Sequence, residues 1–242
     1  MIYITGDMHA KFAPIEAICE KYNTTTDDIL IILGDAGINF HGEVKDRKKK
    51  DYLRTLPITL FSVHGNHDMR PASIPSYKEV DFHGAPAYME DGYETLLFAK
   101  CGEIYELDGL STLVLGGAYS LDKAFRLALK WPWFEDEQPS DEIKRLAEEN
   151  IAAKNHKVDV VLSHTAPLSH LPFSGMPKLK TIEIDTTTEE WLDAIEKTLD
   201  YEHWYCGHFH LDRQIGRFTF MMDEVLPFGH FRMANESTPQ TD

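Results

Sequence analysis

The sequence predicts an α/β fold with a mainly parallel sheet covered on both faces and a second sheet drawn from its middle. Three observations carry this. Residues 2–63 alternate short apolar, β-rich runs with helical or polar stretches, a strand–helix–strand–helix–strand opening. Residues 82–118 then offer several short β candidates in succession. The apolar runs stop abruptly at glycine or at side chains that can bind metals.

The elements follow in order. Ile2–Thr5 is a short strand ending at Gly6, and 12–22 carries Phe12, Ile15, Ile18 and Cys19 at a helical period. Ile29–Leu33 is a continuous apolar run, the pattern of a strand buried on both faces. Val44–Thr55 is polar and basic, a surface helix anchored by Tyr52 and Leu53, and Ile58–Val63 is the third strand. In the middle, Ala87–Met89, Thr95–Ala99, Glu103–Leu107 and Ser111–Leu115 read as strands of a largely antiparallel second sheet, with a hairpin at Asp108-Gly109. Residues 119–139 are irregular and aromatic. Ser140 caps a helix over 141–155 whose first turn holds Asp141 and Glu142, which suit the helix dipole. Val158–Leu162 is a strand, Pro167–Pro177 a Pro/Gly/Ser-rich loop, and Thr186–Leu199 a helix with Trp191, Leu192, Ile195 and Leu199 on one face. Trp204–Cys206 is a strand, and Gln214–Met222 closes as one or two more. No repeat or linker interrupts the chain, so 1–242 is expected as one domain, with 234–242 a mobile polar tail.

Composition narrows the class. Hydrophobic residues make up 43% and charged residues 26% of 242, ordinary soluble usage, so a full core needs no metal or disulfide to hold it. A metal here is therefore expected to serve chemistry. The formal net charge of −16 disfavours non-specific binding to long duplex nucleic acid or to an anionic membrane. It does not exclude a small phosphorylated molecule, because bound cations reverse the field locally. Three widely spaced cysteines, Cys19, Cys101 and Cys206, form neither a disulfide framework nor a thiolate zinc site. The N-terminus lacks a signal-peptide pattern and no apolar run spans a bilayer, so a soluble, cytoplasmic protein is expected.

The chemistry lies just past the strands. Asp7 and His9 follow the first, Asp35 the second, and His64-Gly65-Asn66-His67-Asp68 the third. His164 follows Val158–Leu162, and His208-Phe209-His210 follows Trp204–Cys206. Open α/β sheets bind ligands beyond the carboxyl ends of their strands, so these groups gather in one crevice. Asp and His together suit Mn, Fe, Zn, Co or Ni better than Ca, and manganese leads the expectation. In extended chain, positions i and i+2 point the same way, so Asp7 with His9, and His208 with His210, are each expected to reach one site. Asp35 has two oxygens with which to bridge two ions, and Asn66 offers a carbonyl oxygen without charge. Two divalent ions, two carboxylates and a bridging hydroxide leave a small positive charge, ready for a phosphate. Each motif alone also fits a bland structure, a buried histidine or an Asx-turn. The ordered set is specific.

Asp7-x-His9, Gly34-Asp35, Gly65-Asn66-His67-Asp68, His164 and Gly207-His208-x-His210 together resemble the calcineurin-like metallophosphoesterase superfamily, over residues 7–210. The resemblance implies a four-layer α/β/β/α sandwich with two mixed sheets and two divalent transition metals at the carboxyl ends of the strands. It implies one metal on Asp7, His9, Asp35 and His210, and a second on Asp35, Asn66, His164 and His208. His67 would stand outside the metals near the leaving group as general acid, with Asp68 orienting its ring. The serine/threonine phosphatase branch carries GDxVDRG in its second block. Gly34–Phe40 here lacks that acidic residue and arginine, which argues against a protein phosphatase.

The expected reaction is direct hydrolysis of a phosphomonoester or phosphodiester by a metal-bridging hydroxide. A nuclease on short single strands, a cyclic-nucleotide phosphodiesterase and a non-catalytic metal-binding scaffold are the alternatives. Filled ligand positions and the presence of His67 weigh against the scaffold. Candidate substrate contacts, for a small phosphorylated molecule such as a nucleotide, are Arg70, Lys123 and Arg126. Arg70 also reads as a solvated loop arginine, and Lys123 and Arg126 as partners in surface salt bridges. Trp131, Trp133 and Phe134 offer a stacking wall or satellite core. His170, Phe173 and Met176 mark the Pro-rich loop as a candidate lid. His64 is placed to support the metal ligands.

Overall fold

The structure, a computed structural model, describes residues 1–172 and 184–232. The opening runs as expected through β1 (Ile2–Thr5), α1 (Ala13–Tyr22), β2 (Ile29–Ile32), α2 (Glu43–Leu53) and β3 (Thr59–Ser62). Then come β4 (Tyr77–Phe82), β5 (Ala85–Glu90), β6 (Leu96–Ala99), β7 (Ile104–Leu107) and β8 (Leu110–Leu115). Two helices, α3 (Lys123–Ala128) and α4 (Asp141–Ala153), lead to β9 (Val160–Ser163), α5 (Thr187–Glu196) and β10 (His203–Cys206). The described chain closes with β11 (Arg213–Ile215), β12 (Phe218–Phe220) and β13 (Val225–Pro227).

The thirteen strands of the described residues divide between two mixed sheets, ordered β13-β1-β2-β3-β6-β5-β4 and β11-β12-β10-β9-β8-β7. In the first, β1, β2, β3 and β6 run parallel, with antiparallel strands at both edges. The expectation for the middle of the chain needs correcting twice. Strands β4, β5 and β6 join the first sheet, and only β7 and β8 enter the second. That second sheet is not largely antiparallel. Its centre, β12-β10-β9-β8, is parallel, and only β11 and β7 are reversed. Helix α4 carries the chain from β8 to β9 and α5 from β9 to β10, and such crossovers produce parallel neighbours. The unanticipated β4 has charged residues along an exposed edge, which hid it from a search for apolar runs. Its turn to β5 uses His83 and Gly84, both with positive φ, as a tight hairpin requires. Ser140 does cap α4, its hydroxyl accepting the Ile143 N–H at 3.3 Å.

Alternation along the strands sorts the core into layers. Ile2, Ile4, Ile29 and Ile31 face inward against Val114, Val160, Leu162 and Tyr205 of the other sheet. Tyr3, Leu30, Ile32 and Leu60 face outward onto Ile15 and Ile18 of α1 and Leu53 of α2. Leu113, Leu115, Val161 and Trp204 face outward onto Ala147 and Ile151 of α4 and Leu192 and Ile195 of α5. The result is the four-layer sandwich. The carboxyl ends of both parallel blocks come together along one edge. All three cysteines are buried and free. Among the described residues no helix is long and apolar enough to cross a membrane. The expected tail, 234–242, lies outside the described residues, as do Phe173 and Met176.

One buried histidine away from that edge sets a stability limit. His203 is 2% exposed, stacks on Phe231 at 4.6 Å, and shares a hydrogen bond of 2.8 Å with Thr219 Oγ1. Burial, with His230 nearby, pushes it down to about 3. Its folded pKa lies below the unfolded one, so its contribution is complete above about pH 6.5 and is lost as pH falls toward 3. In metal-free protein, urea unfolding should therefore show stability falling from pH 7.5 to 5. His203→Phe, which keeps the stacking but cannot titrate, should show a shallower fall. Parallel curves for the two proteins would remove His203 as a cause.

Candidate metal centre

Every predicted ligand sits in a turn just beyond a strand. His9, Asp35, His208 and His210 all have positive φ, between 45° and 65°. The expectation that Asp7/His9 and His208/His210 converge because the chain is extended is therefore wrong. Left-handed turns bring His9 and His210 toward Asp7 and direct His208 to Asn66 instead. A non-glycine residue costs about 1–3 kcal/mol in such a conformation, and the surrounding contacts must hold it there. His9 N–H donates to the Asp35 carbonyl at 2.7 Å, which ties the first turn to the second. Glycines let the turns approach. A Cβ on Gly65 would fall 2.0 Å from Asp35 Oδ1, and one on Gly207 would fall 2.2 Å from Asp7 Oδ1.

Two donor clusters result. Asp7, His9 and His210 meet in one, with His210 Nε2 at 3.3 Å from Asp7 Oδ2 and at 2.9 Å from His9 Nε2. His164 and His208 meet around Asn66 in the other, at 2.8 and 3.1 Å from its Oδ1. Asp35 lies between them. Its Oδ2 is 4.0 Å from His9 Nε2, and its Oδ1 is 3.7 Å from His164 Nε2. Asp7, Asp35 and His164 form a further triad whose ligand atoms lie within 4.8 Å of one another, so Asp7 borders both clusters.

The donor set fits cations. His164 Nδ1 lies 2.7 Å from the Leu33 carbonyl, and Nε2 lies 2.8 Å from Asn66 Oδ1. A neutral imidazole has one N–H and cannot donate to both. The amide cannot simply be turned over. Asn66 Nδ2 donates to Ser120 Oγ at 3.0 Å, and the Ser120 hydroxyl donates to Glu137 Oε2 at 2.5 Å. Ser120 Oγ also accepts from Arg126 Nη1 at 2.9 Å, so the oxygen of Asn66 must face the histidines. An oxygen and a nitrogen lone pair then oppose each other, an arrangement that a cation between them satisfies. Asp7 Oδ2 is likewise buried and faces ring nitrogens, His210 Nε2 at 3.3 Å and His9 Nε2 at 3.8 Å.

Electrostatics agrees. Burial depresses the pKa values of His9 and His164 and takes His208 down to about 3, so their lone pairs are free at neutral pH. The hydrogen bond to Asp7 raises that of His210. Burial pushes the Asp7 carboxyl up, but His164 and the His210 and His208 contacts outweigh it and keep it low. Asp35 is held well above the usual carboxylate range by burial, then by Asp7 and Asp68. A divalent ion would relieve that crowding.

The remaining expected residues divide. The His67 ring stands at the rim, edge-on to His9 at 5.5 Å and tilted over Phe40 at 5.6 Å. It lines a pocket of about 450 Å³ that it shares with His9, Asp35, Asn66, His208 and His210. Asp68 does not orient that ring. It is fully buried and accepts backbone N–H groups from Gly65, Ala36 and Gly37, which holds two ligand turns together. None of the three expected substrate contacts lines the pocket. Arg70 turns away beneath the aromatic segment, with Nε on the Asp136 carbonyl at 2.6 Å. Lys123 Nζ rests 4.1 Å over the Trp133 ring. Arg126 is 1% exposed and bound to Ser120 and the Pro132 carbonyl. Trp131, Trp133 and Phe134 are absent from the pocket lining too. His64 is buried beneath the ligands and shares a crevice with Arg70. His170 stacks on Phe218 at 4.2 Å. The sequence reading missed Ser120 and Glu137. Ser120 had a local signal, because Leu115-Gly116-Gly117 is a further strand end of the same pattern, and Glu137, 17 residues beyond Ser120, had none.

The calcineurin-like phosphoesterase family matches residues 1–212. The chain belongs to that family. Membership makes it a metal-dependent hydrolase of phosphoric esters, with candidate ligand groups in Asp7, His9, Asp35 and His164. Among solved structures, a Staphylococcus aureus protein described as a 5′-nucleotidase is 14% identical, at a TM-score of 0.44, over 91% of this chain and 48% of that one. Phosphopantetheinyl hydrolase from Mycobacterium tuberculosis is 17% identical, at a TM-score of 0.36, over 91% of this chain and 87% of that one. Among curated proteins, none matches.

If Ser120 aims the Asn66 oxygen, Ser120→Ala should weaken one of two bound Mn²⁺ ions about tenfold and spare the other. Calorimetric titration of metal-free protein resolves the two steps. Equal weakening of both would indicate a general loss of structure instead.

Proposed function

We propose that this chain, acting as a single domain, hydrolyses the phosphate ester of a small phosphorylated substrate without a covalent enzyme intermediate. The observation that supports this best is Asp35 between two donor clusters, with His67 at the rim of the same pocket. Asp7, His9, Asp35 and His210 would hold one divalent ion, and Asp35, Asn66, His164 and His208 a second. The mixed nitrogen and oxygen donors suit Mn, Fe, Zn, Co or Ni. Such ions acidify water, orient a phosphoryl group and offset the charge of its transition state.

The protein's own groups do the rest. Asp35 and the turns around it fix the spacing of the site. Asn66, aimed by Ser120, contributes an oxygen without further negative charge, which leaves room for an anionic substrate. His67 faces the leaving oxygen. Burial, with Arg126 and His9, pushes its pKa down to about 3, so the ring is neutral at pH 7 in the free protein. A neutral imidazole still donates one N–H to the departing oxygen. The negative charge of a bound phosphate favours its protonation as the bond breaks.

Two variants test these roles. Asp35→Ala should lose both metals, and elemental analysis that still finds two ions per chain would remove Asp35 as the bridge. His67→Ala should keep both metals and lose about 10²–10⁴-fold in rate on alkyl phosphates, but less on p-nitrophenyl phosphate, whose leaving group needs little protonation. Equal losses on both esters would exclude proton donation. With Mn²⁺, comparing p-nitrophenyl phosphate with bis-p-nitrophenyl phosphate separates monoesterase from phosphodiesterase. Activity on neither, with two metals bound, would overturn the hydrolytic reading.

A further inference from the structure

The pocket that holds His9, His67, His208 and His210 continues beyond them, and the far wall has a definite charge. Its volume, about 450 Å³, is enough for a leaving group the size of a sugar or an aromatic ring. Leu121, Leu171 and Ile184 supply apolar surface. Asp122, Asp185 and Glu189 supply carboxylates, and no lysine or arginine lines the pocket among the described residues. The cations nearby are engaged elsewhere, Arg126 on Ser120 and Lys123 on Trp133.

These carboxylates are not spent on one another. Asp185 accepts from the neutral donors Thr187 N–H at 3.0 Å and Gln138 Nε2 at 2.9 Å, and it feels the charge of Lys144, which itself rests over the Trp191 ring. Glu189 is 8% exposed and accepts from the Thr165 hydroxyl at 2.9 Å and from its own backbone N–H, while its Oε2 has no hydrogen-bond partner among the described residues. Thr165 directly follows His164, so this wall is joined to the metal-binding edge. Asp122 has a single distant cation, Arg126 Nη1 at 3.8 Å.

We infer that this pocket selects phosphate esters whose organic part bears hydroxyl or ammonium groups and no second negative charge. The inference rests on the hydrolytic reading of the site and adds a substrate class to it. The phosphoryl group lies toward the metal ligands. The organic part then meets acceptors that lack donors, together with apolar surface. A hydroxyl or ammonium group supplies those donors. A second phosphate or a carboxylate meets like charge in a partly closed space whose wall, among the described residues, holds no lysine or arginine. Nucleoside di- and triphosphates and phosphorylated carboxylic acids are thereby disfavoured.

Three phenyl phosphates test this, carrying aminomethyl, hydroxymethyl or carboxylate at the para position. They share a shape and a reacting centre and differ in charge. With Mn²⁺-loaded protein, kcat/KM should fall at least about tenfold from the ammonium to the carboxylate ester, with the alcohol between. Asp185→Asn should compress that range, and Glu189→Gln should do so independently if the first variant fails to fold. The matching benzylphosphonates, which cannot be hydrolysed, should rank in the same order by calorimetric Kd. Turnover of all three esters at equal kcat/KM, with equal phosphonate affinities, would overturn the inference and leave the hydrolytic reading standing. Ranked phosphonate binding without any turnover would do the reverse.

Discussion

The site depends on one contact between the two sheets, the hydrogen bond from His164 Nδ1 to the carbonyl of Leu33 at 2.7 Å. His164 stands at the end of β9 and Leu33 at the end of β2. The bond joins the carboxyl edges of the two parallel blocks. It also leaves Nε2 as the free nitrogen of a neutral imidazole and directs it at Asn66. A second crossing, from the His208 N–H to Asp7 Oδ1 at 2.9 Å, repeats the device between β10 and β1. Packing between the inner faces brings the sheets together, and these polar contacts register their edges to within a hydrogen-bond length.

Gathering two carboxylates and four imidazoles there is unfavourable for the protein alone. Asp35 is crowded by Asp7 and Asp68, and burial keeps His9, His164 and His208 uncharged. Several of the turns that carry them are left-handed without glycine. The rest of the fold supplies the compensation. Asp68 ties down the backbone of two turns, and Ser120, Glu137 and Arg126 close a buried network around Asn66. Arrangements that store strain and unpaired lone pairs in one place are typical of sites that bind and react.

Buried charges elsewhere are treated differently. Arg70 and Arg126 both fasten the aromatic segment after α3 by donating to its carbonyls, at Asp136 and Pro132. Arg126 stands 3.8 Å from Asp122 but is spent on Ser120 and the Pro132 carbonyl, and neither arginine lines the pocket. The same protein therefore presents a cation-ready edge and an anion-lined extension within one cavity. A phosphate ester with a donor-bearing organic part matches both ends.

The sequence by itself determined the strand-end pattern, the identity of the donor residues and the layered α/β class. Apolar runs that end in Asp, His or Asn are a local signal, and the order of the blocks is specific to a family. It also carried the opening helices and strands, because their periods are set by burial on one face or two. It did not determine which sheet received β4, β5 and β6, since pairing between distant segments leaves no period in either one. It misplaced Asp68, Arg70, Lys123 and Arg126, because direction of a long side chain depends on carbonyls and rings far along the chain. Glu137 went unnoticed for the same reason, whereas Ser120 follows a strand end that the pattern could have included. Only the tertiary structure decided how the left-handed turns aim their ligands and which charges line the rest of the pocket, because both arise from contacts between residues remote in sequence.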